Sequence, residues 1–474
     1  MKFYDIVLVA ETAWCLDPVV VGYFTPWGDI TTQQIPYDKV THINYAFGAL
    51  TNRTHPGQVS LDEWYDMPKL KSVIATAHTR NGNHPKVLLS IGGWTGSQMF
   101  SPMAKTREHR QHFINQAITF MKPIREGGLD LDGIDLDWEF PGRRGSLCNH
   151  VDPNDTENYL LLLKEMRVAM DRSFKGSKLL TAAVSIAPFD DENITPRKDV
   201  SEFSKYFDFV NVMAYDFYGS WSATTGPNAP LHHHPKKGEP FSFSKALNAW
   251  KDAGFPASKI VGGLAFYGRT FEASESPAAT SQFVEKTSNR IQGDASDVLE
   301  KSLLCDEGTF FSGVYKYKHL RKDILATPAP KLGYTRYNDN VTQTPYLYEP
   351  STRRLITYDD PISIQAKASY IQDNGFGGAM IWEMSFDYQD ELLDALRSVI
   401  IQPPIDTLQF NSPTEPTIPD SNNQPYPIPP ITSPSKPRSH SRPPKRILET
   451  VNIKHIPLFP ETNHPTPIDY FSVD

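Results

Sequence analysis

At 474 residues the chain exceeds the roughly 250–300 residues at which a single hydrophobic core stops growing, so more than one structural unit is expected. A formal charge of -8 offers no general attraction to nucleic acid or an anionic membrane, while 39% hydrophobic and 12% aromatic content supports a sizeable core. Cys15, Cys148 and Cys305 are too few and too scattered for a disulfide scaffold or a spaced zinc site, and at most one bridge forms.

Residues 1–17 read as a weak signal segment, because the apolar stretch Ile6 to Ala10 is short and bracketed by Asp5 and Glu11. No run approaches the roughly 18 apolar residues that span a membrane. Sequons at Asn52, Asn154, Asn193 and Asn340 fit a secreted glycoprotein, although such tripeptides also arise by chance. The expected location is extracellular or cell-wall associated.

From Val19 to Leu396 short β-branched runs alternate with segments able to form amphipathic helices. The eight runs are "VVVGYF" from Val19, "THINYAF" from Thr41, "KVLLSIGG" from Lys86, "GIDLDWEF" from Gly133, "LLTAAVSI" from Leu179, "FDFVNVMAY" from Phe207, "IVGGLAFYG" from Ile260 and "GGAMIWEM" from Gly377. Eight βα units predict an α/β fold, a closed (β/α)8 TIM barrel over residues 18–269 and 353–400, with an open doubly wound sheet as the alternative. Between them, residues 270–352 carry "FFSGVYKY", "KLGYTRYND" and "TPYLYEP", too much for a βα loop, and read as an inserted small α+β subdomain. Residues 401–474 hold 17 of the 40 prolines and read as a disordered Pro/Ser-rich tail, whose basic stretch from Ser435 to Arg446 fits a solvated linker.

The fourth run concentrates acids. A period of two sends Asp135, Asp137 and Glu139 to one face and Ile134, Leu136 and Trp138 to the other. The outer face of a parallel barrel meets helices and must be apolar, so the acid row points inward and rises toward the C-terminal mouth. Carboxylates roughly 6.5–7 Å apart along a strand raise one another's proton affinity, which favours a protonated Glu139 able to donate to a leaving group. Asp132 has the opposite parity and braces the start of the strand. A Mg²⁺ or Ca²⁺ site would use hard oxygen ligands, but the row has no nearby His or Asn, and His232 to His234 fit an exposed loop. Two further readings remain: an internally salt-bridged row, costly without as many bases, and a sugar-binding protein that kept the row without the reaction.

The stretch "DGIDLDWE" resembles the DxxDxDxE signature of glycoside hydrolase family 18, the chitinases and their relatives. With it come "VGYFTPW" on the first strand, "YAF" on the second, "LLSIGGW" on the third, "MAYDFYGSW" on the sixth, "YGRTF" after the seventh and "GGAMIWE" on the eighth. The resemblance spans Val19 to Leu396 and includes an insertion like the chitin-insertion domain of many members. It implies that Glu139 protonates the glycosidic oxygen, that Asp137 orients the substrate's 2-acetamido group and that Asp135 modulates Asp137. The acetamido oxygen would be the nucleophile, giving an oxazolinium intermediate opened by water with retention of configuration. By the same resemblance Tyr215 and Asp216 bind the acetamido group and the distorted sugar, Met213 lines the site, and Tyr23 and Ser90 lie below the acid row. Trp382 would form the floor, Trp27, Trp94 and Trp221 would extend an aromatic track, and Phe47, Tyr267 and Arg269 would close its sides. Phe140 stands where many relatives carry Tyr.

The function so implied is a chitinase cleaving β-1,4 linkages between N-acetylglucosamine units. It needs no cofactor and no metal, and its partner is chitin or chitooligosaccharides rather than nucleic acid, acted on by a monomer. The alternatives are a non-catalytic chitooligosaccharide-binding lectin, a family member acting on another N-acetylglucosamine linkage, and a phosphate- or metal-dependent barrel enzyme.

Overall fold

The computed structural model describes residues 18–80, 84–176, 178–301, 309–325 and 329–400. The weak signal segment, the Pro-rich tail, Cys15 and Cys305 lie outside these residues.

The β-branched runs form strands buried on both faces. In chain order they are β1 (Val19–Phe24), β2 (His42–Gly48), β3 (Lys86–Gly92), β4 (Gly133–Asp137), β5 (Leu179–Val184), β6 (Phe209–Val212) and β7 (Ile260–Ala265). A further group follows: β8 (Tyr267–Glu272), β9 (Glu300–Lys301), β10 (Thr309–Phe310), β11 (Val314–Lys316), β12 (Thr335–Asp339), β13 (Thr344–Glu349) and β14 (Arg354–Thr357). The last strand, β15 (Gly378–Trp382), pairs in parallel with both β1 and β7. The result is a closed eight-stranded parallel barrel, β1-β15-β7-β6-β5-β4-β3-β2. The expected (β/α)8 barrel is therefore present, and the open doubly wound sheet is not.

The helices are α1 (Asp66–His78), α2 (Gly93–Gly96), α3 (Phe100–Lys105), α4 (Arg107–Met121), α5 (Asp155–Ser173), α6 (Phe243–Asp252), α7 (Tyr317–Asp323), α8 (Pro361–Asp373) and α9 (Glu391–Ile400). Their apolar spacing explains why they coat the sheet. In α6, Phe243, Ala246, Leu247 and Trp250 fall on one face and are buried. Side-chain caps fix the starts: Thr106 accepts from the His109 amide, Ser242 from the Lys245 amide, and Asp360 pairs reciprocally with Ser363 ahead of Pro361. Among the described residues no helix is long and apolar enough to cross a membrane.

Two hydrophobic clusters result. The larger lies between strands and helices. The smaller fills the barrel interior with Val21, Tyr23, Ala46, Phe209, Val261 and Met380. The remaining inward positions at mid-barrel are polar: Asn44, Ser90, Asp135, Asp137, Thr181 and Asn211 are all buried.

Several boundaries differ from the sequence reading. The fourth strand ends at Asp137 rather than Phe140, because its ladder with β3 stops at the Gly92–Asp137 pair, where α2 takes over. Glu139 thus stands just beyond the sheet. The sixth strand starts at Phe209, not Phe207. The seventh run splits after Ala265: β8 leaves the barrel and joins a five-stranded antiparallel sheet in the order β11-β8-β14-β13-β12. That sheet reaches back to Tyr267 and forward to Thr357, beyond the 270–352 limits read from composition, because only Phe266 separates β7 from β8 and the apolar pattern does not break there. The peptide bonds preceding Phe47, Phe140 and Glu383 are cis.

Candidate active site

The acid row is built from the bottom upward. Asp135 is fully buried and accepts four hydrogen bonds: Tyr23 Oη at 2.7 Å and Ser90 Oγ at 2.8 Å on Oδ2, Thr181 Oγ1 at 2.6 Å and Asn211 Nδ2 at 3.5 Å on Oδ1. Burial raises its pKa, and these four donors oppose that rise by stabilising the anion. Tyr23, buried and beside two carboxyl groups, is held well above the usual phenol range. It therefore stays a donor.

Asp137 differs. Its Oδ1 is buried with no hydrogen-bond partner. Burial, then the Glu139 and Asp135 carboxyls, push its pKa far up. Glu139 is half-buried, and withdrawal from water followed by the Asp216 carboxylate raises it to about 8. The row consequently separates in function: a carboxyl at Asp135 buried but held by four donors, and a proton or protons shared between Asp137 and Glu139.

Asp216 follows β6 at a positive φ of 58°. Its Oδ1 accepts from Tyr267 Oη at 2.7 Å and from Arg269 Nε and Nη2 at 2.8 and 2.5 Å. Arg269 is wholly buried, donates also to the Ser312 carbonyl, and lies 4.9 Å over the Trp221 ring. β8 thereby connects the insertion sheet to the rim. Tyr215 sits edge-on to Tyr267 at 6.2 Å, with its hydroxyl 4.0 Å from the Met380 sulfur.

The aromatic residues form a connected string. Trp382 stacks on Phe47 at 5.8 Å and meets Tyr23 edge-on at 5.5 Å, while Trp27 lies 6.4 Å from Phe47. Trp382 and Met213 both pack on the inner-barrel cluster. Trp94, in α2 just past β3, keeps a buried indole N–H that has no partner. The sequence-derived site residues therefore gather at one end of the barrel or directly beneath it. His232 to His234 do not: His232 bonds Ser244 on the outer helix α6, and among the described residues no His, Cys, Asp or Glu group could hold a metal ion.

Thr181 and Asn211 escaped the sequence reading. The available signal was a polar residue in each of two apolar strands, with Thr181 directly across the ladder from Asp135. Cys148, in the loop after β4, is disulfide-bonded.

Barrel, insertion sheet and acid row together define a (β/α)8 protein of the glycoside hydrolase class. The chain belongs to the glycosyl hydrolases family 18, which it matches over residues 19–387. It is 34% identical over 397 residues to a chitinase-like effector of Moniliophthora roreri, covering 80% of this chain and 92% of that one. It is 30% identical over 388 residues to Chitinase 1 of Aphanocladium album, covering 77% and 80%. Among solved structures a chitinase from Rhizomucor miehei matches with a TM-score of 0.72 and 35% identity, covering 80% of this chain and 99% of that one.

Proposed function

We propose that the protein is a chitinase that hydrolyses β-1,4 linkages between N-acetylglucosamine units by a retaining, substrate-assisted route. The observation that carries this reading is the Glu139 carboxyl, its pKa raised to about 8 by burial and by Asp216, next in sequence parity to an Asp137 carboxyl whose buried Oδ1 lacks a partner. Glu139 donates its proton to the glycosidic oxygen as the C–O bond breaks. The carbonyl oxygen of the same sugar's acetamido group attacks the anomeric carbon. Asp137 accepts a hydrogen bond from the acetamido N–H and offsets the positive charge of the oxazolinium ion. Water then opens that ion from the face the leaving group vacated, and Glu139, now a carboxylate, takes the water's proton.

The surrounding groups fit this sequence. Four donors hold the Asp135 carboxyl in place next to Asp137, and its charge is one of the causes that raise the Asp137 pKa. Tyr215 and Asp216 face the developing charge, and the Trp382 indole offers a flat apolar surface for a pyranose. The disulfide at Cys148 supports an extracellular or cell-wall location, since such bonds persist in oxidising compartments.

Incubation with N-acetylglucosamine oligomers, reading product length and anomer, tests the proposal. The expected result is shorter oligomers released as the β-anomer. Glu139→Gln should retain oligomer binding and lose turnover by about 10³-fold or more, the scale of a lost general acid and its electrostatic role.

A second reading rests on one observation: the Moniliophthora roreri relative is described as chitinase-like. If the folded wild type binds chitooligosaccharides and leaves them intact, the protein is a lectin on the same scaffold.

A further inference from the structure

Glu139 stands two residues past the end of β4, so no neighbouring strand pairs with its backbone. Buried or half-buried peptide groups need partners nonetheless. Side chains from two loops supply them. Ser97 Oγ accepts from the Glu139 N–H at 3.2 Å and donates to the Asp137 carbonyl at 2.9 Å, so one hydroxyl spans the two acidic residues. From the other side, Asn149 Nδ2 donates to the Glu139 carbonyl at 2.8 Å.

The two loops are also tied to each other. The His150 amide donates to the Gln98 carbonyl, and within its own loop the Asn149 amide donates to the Ser146 carbonyl. Close packing leaves little slack: a Cβ on Gly145 would lie 2.3 Å from the Glu139 carbonyl oxygen, and one on Gly92 only 2.0 Å from that of Asp137. Ser97 and Asn149 are both buried. Asn149 Oδ1, however, has no hydrogen-bond partner. An orphaned buried acceptor is destabilising, and a purely structural position would shed it by exchange for an apolar residue.

We infer that Ser97 and Asn149 are positioning residues for the reaction: they grip the Glu139 peptide from both sides and fix where its carboxyl delivers the proton. The inference rests on the chitinase reading. A proton donor displaced by about 1 Å loses about 10²-fold in rate, because the acid must already be within hydrogen-bond reach of the leaving oxygen. Both side chains bond backbone atoms of Asp137 and Glu139, so their loss should act on the chemical step and not on ground-state binding.

The test compares wild type, Ser97→Ala, Ser97→Thr, Asn149→Ala and Glu139→Gln on a defined N-acetylglucosamine oligomer, with thermal melting of each. We expect Ser97→Ala and Asn149→Ala to lower kcat by about 10- to 100-fold with KM within about twofold. Ser97→Thr, which keeps the hydroxyl, should recover most of the rate. The alkaline limb of the pH profile should shift by about half a unit in the alanine variants, since a looser Glu139 changes its spacing from Asp216 and Asp137. The inference is overturned if both alanine variants keep kcat within about twofold of wild type, or if their losses track melting temperature and Ser97→Thr restores nothing. An inactive wild type, indistinguishable from Glu139→Gln, would remove the chitinase reading and this inference with it.

Discussion

Glu139 is useful as an acid only while it carries its proton, and it does so below about 8. The sign follows directly: the active form is present at lower pH and disappears as pH rises through that value. Plotted against pH, kcat/KM should therefore fall about tenfold per unit beyond about 8. Asp216 is the second cause of the elevation after burial, so Asp216→Asn should move the alkaline limb to lower pH. A limb that stays in place in this variant would mean that burial alone sets it. Period-two reading of "GIDLDWEF" was enough to place Asp135 and Asp137 inward, since alternation is a property of the strand itself. It could not find Thr181 and Asn211, which reach Asp135 from 46 and 76 residues away through ladder register. Nor could it find Ser97 or Asn149, whose contacts depend on where β4 stops.

Strands were legible because each barrel strand is buried on both faces and so carries a largely apolar, β-branched run interrupted only at inward polar positions. Their ends were not, since an end is decided by the neighbour: β4 stops where β3 gives way to α2, and β7 yields to β8 across a single residue with no change of pattern. At the opposite end of β2 from the rim, the same enclosure has a different consequence. His42 begins the strand, its ring edge-on to Phe209 at 5.2 Å and its Nδ1 2.8 Å from Thr41 Oγ1. Burial lowers its pKa to about 4. An unfolded histidine titrates near 6.5, so between these values the unfolded chain binds a proton that the fold refuses. This contribution is fully present above about 6.5 and is lost as pH falls through about 4, amounting to at most about 3 kcal/mol. Urea midpoints at pH 7 and pH 4.5 should therefore diverge less in His42→Gln than in wild type. Equal divergence in both would assign the acid sensitivity to the carboxylates instead.

The whole molecule depends on how the insertion is joined to the barrel. The chain leaves on β8 and returns on β14, adjacent antiparallel strands, so exit and re-entry are stitched by one ladder that also carries Arg269 to the rim. Two ion-pair groups reinforce this junction, and their surroundings decide which matters. Asp29, in the loop after β1, meets Lys316 and Lys318 of the insertion at 3.0 and 2.5 Å, but it is nearly half exposed, and such pairs contribute only about 0–1 kcal/mol. Asp359, just past β14, receives Lys367 Nζ of α8 at 2.5 and 2.6 Å and also Ser363 Oγ, with both charged partners wholly buried. Burial raises the Asp359 pKa and lowers that of Lys367, so each group is held charged against its surroundings chiefly by the other. Removing one partner is then worse than removing both. Lys367→Met should cost about 3–5 kcal/mol in urea unfolding by stranding a buried carboxylate, whereas Lys367→Met with Asp359→Leu should recover most of that loss. The hydrophobic double variant keeps the volume and sheds the desolvation penalty, so a double variant no more stable than the single one would place the anchor in the geometry of the pair, not in its charge.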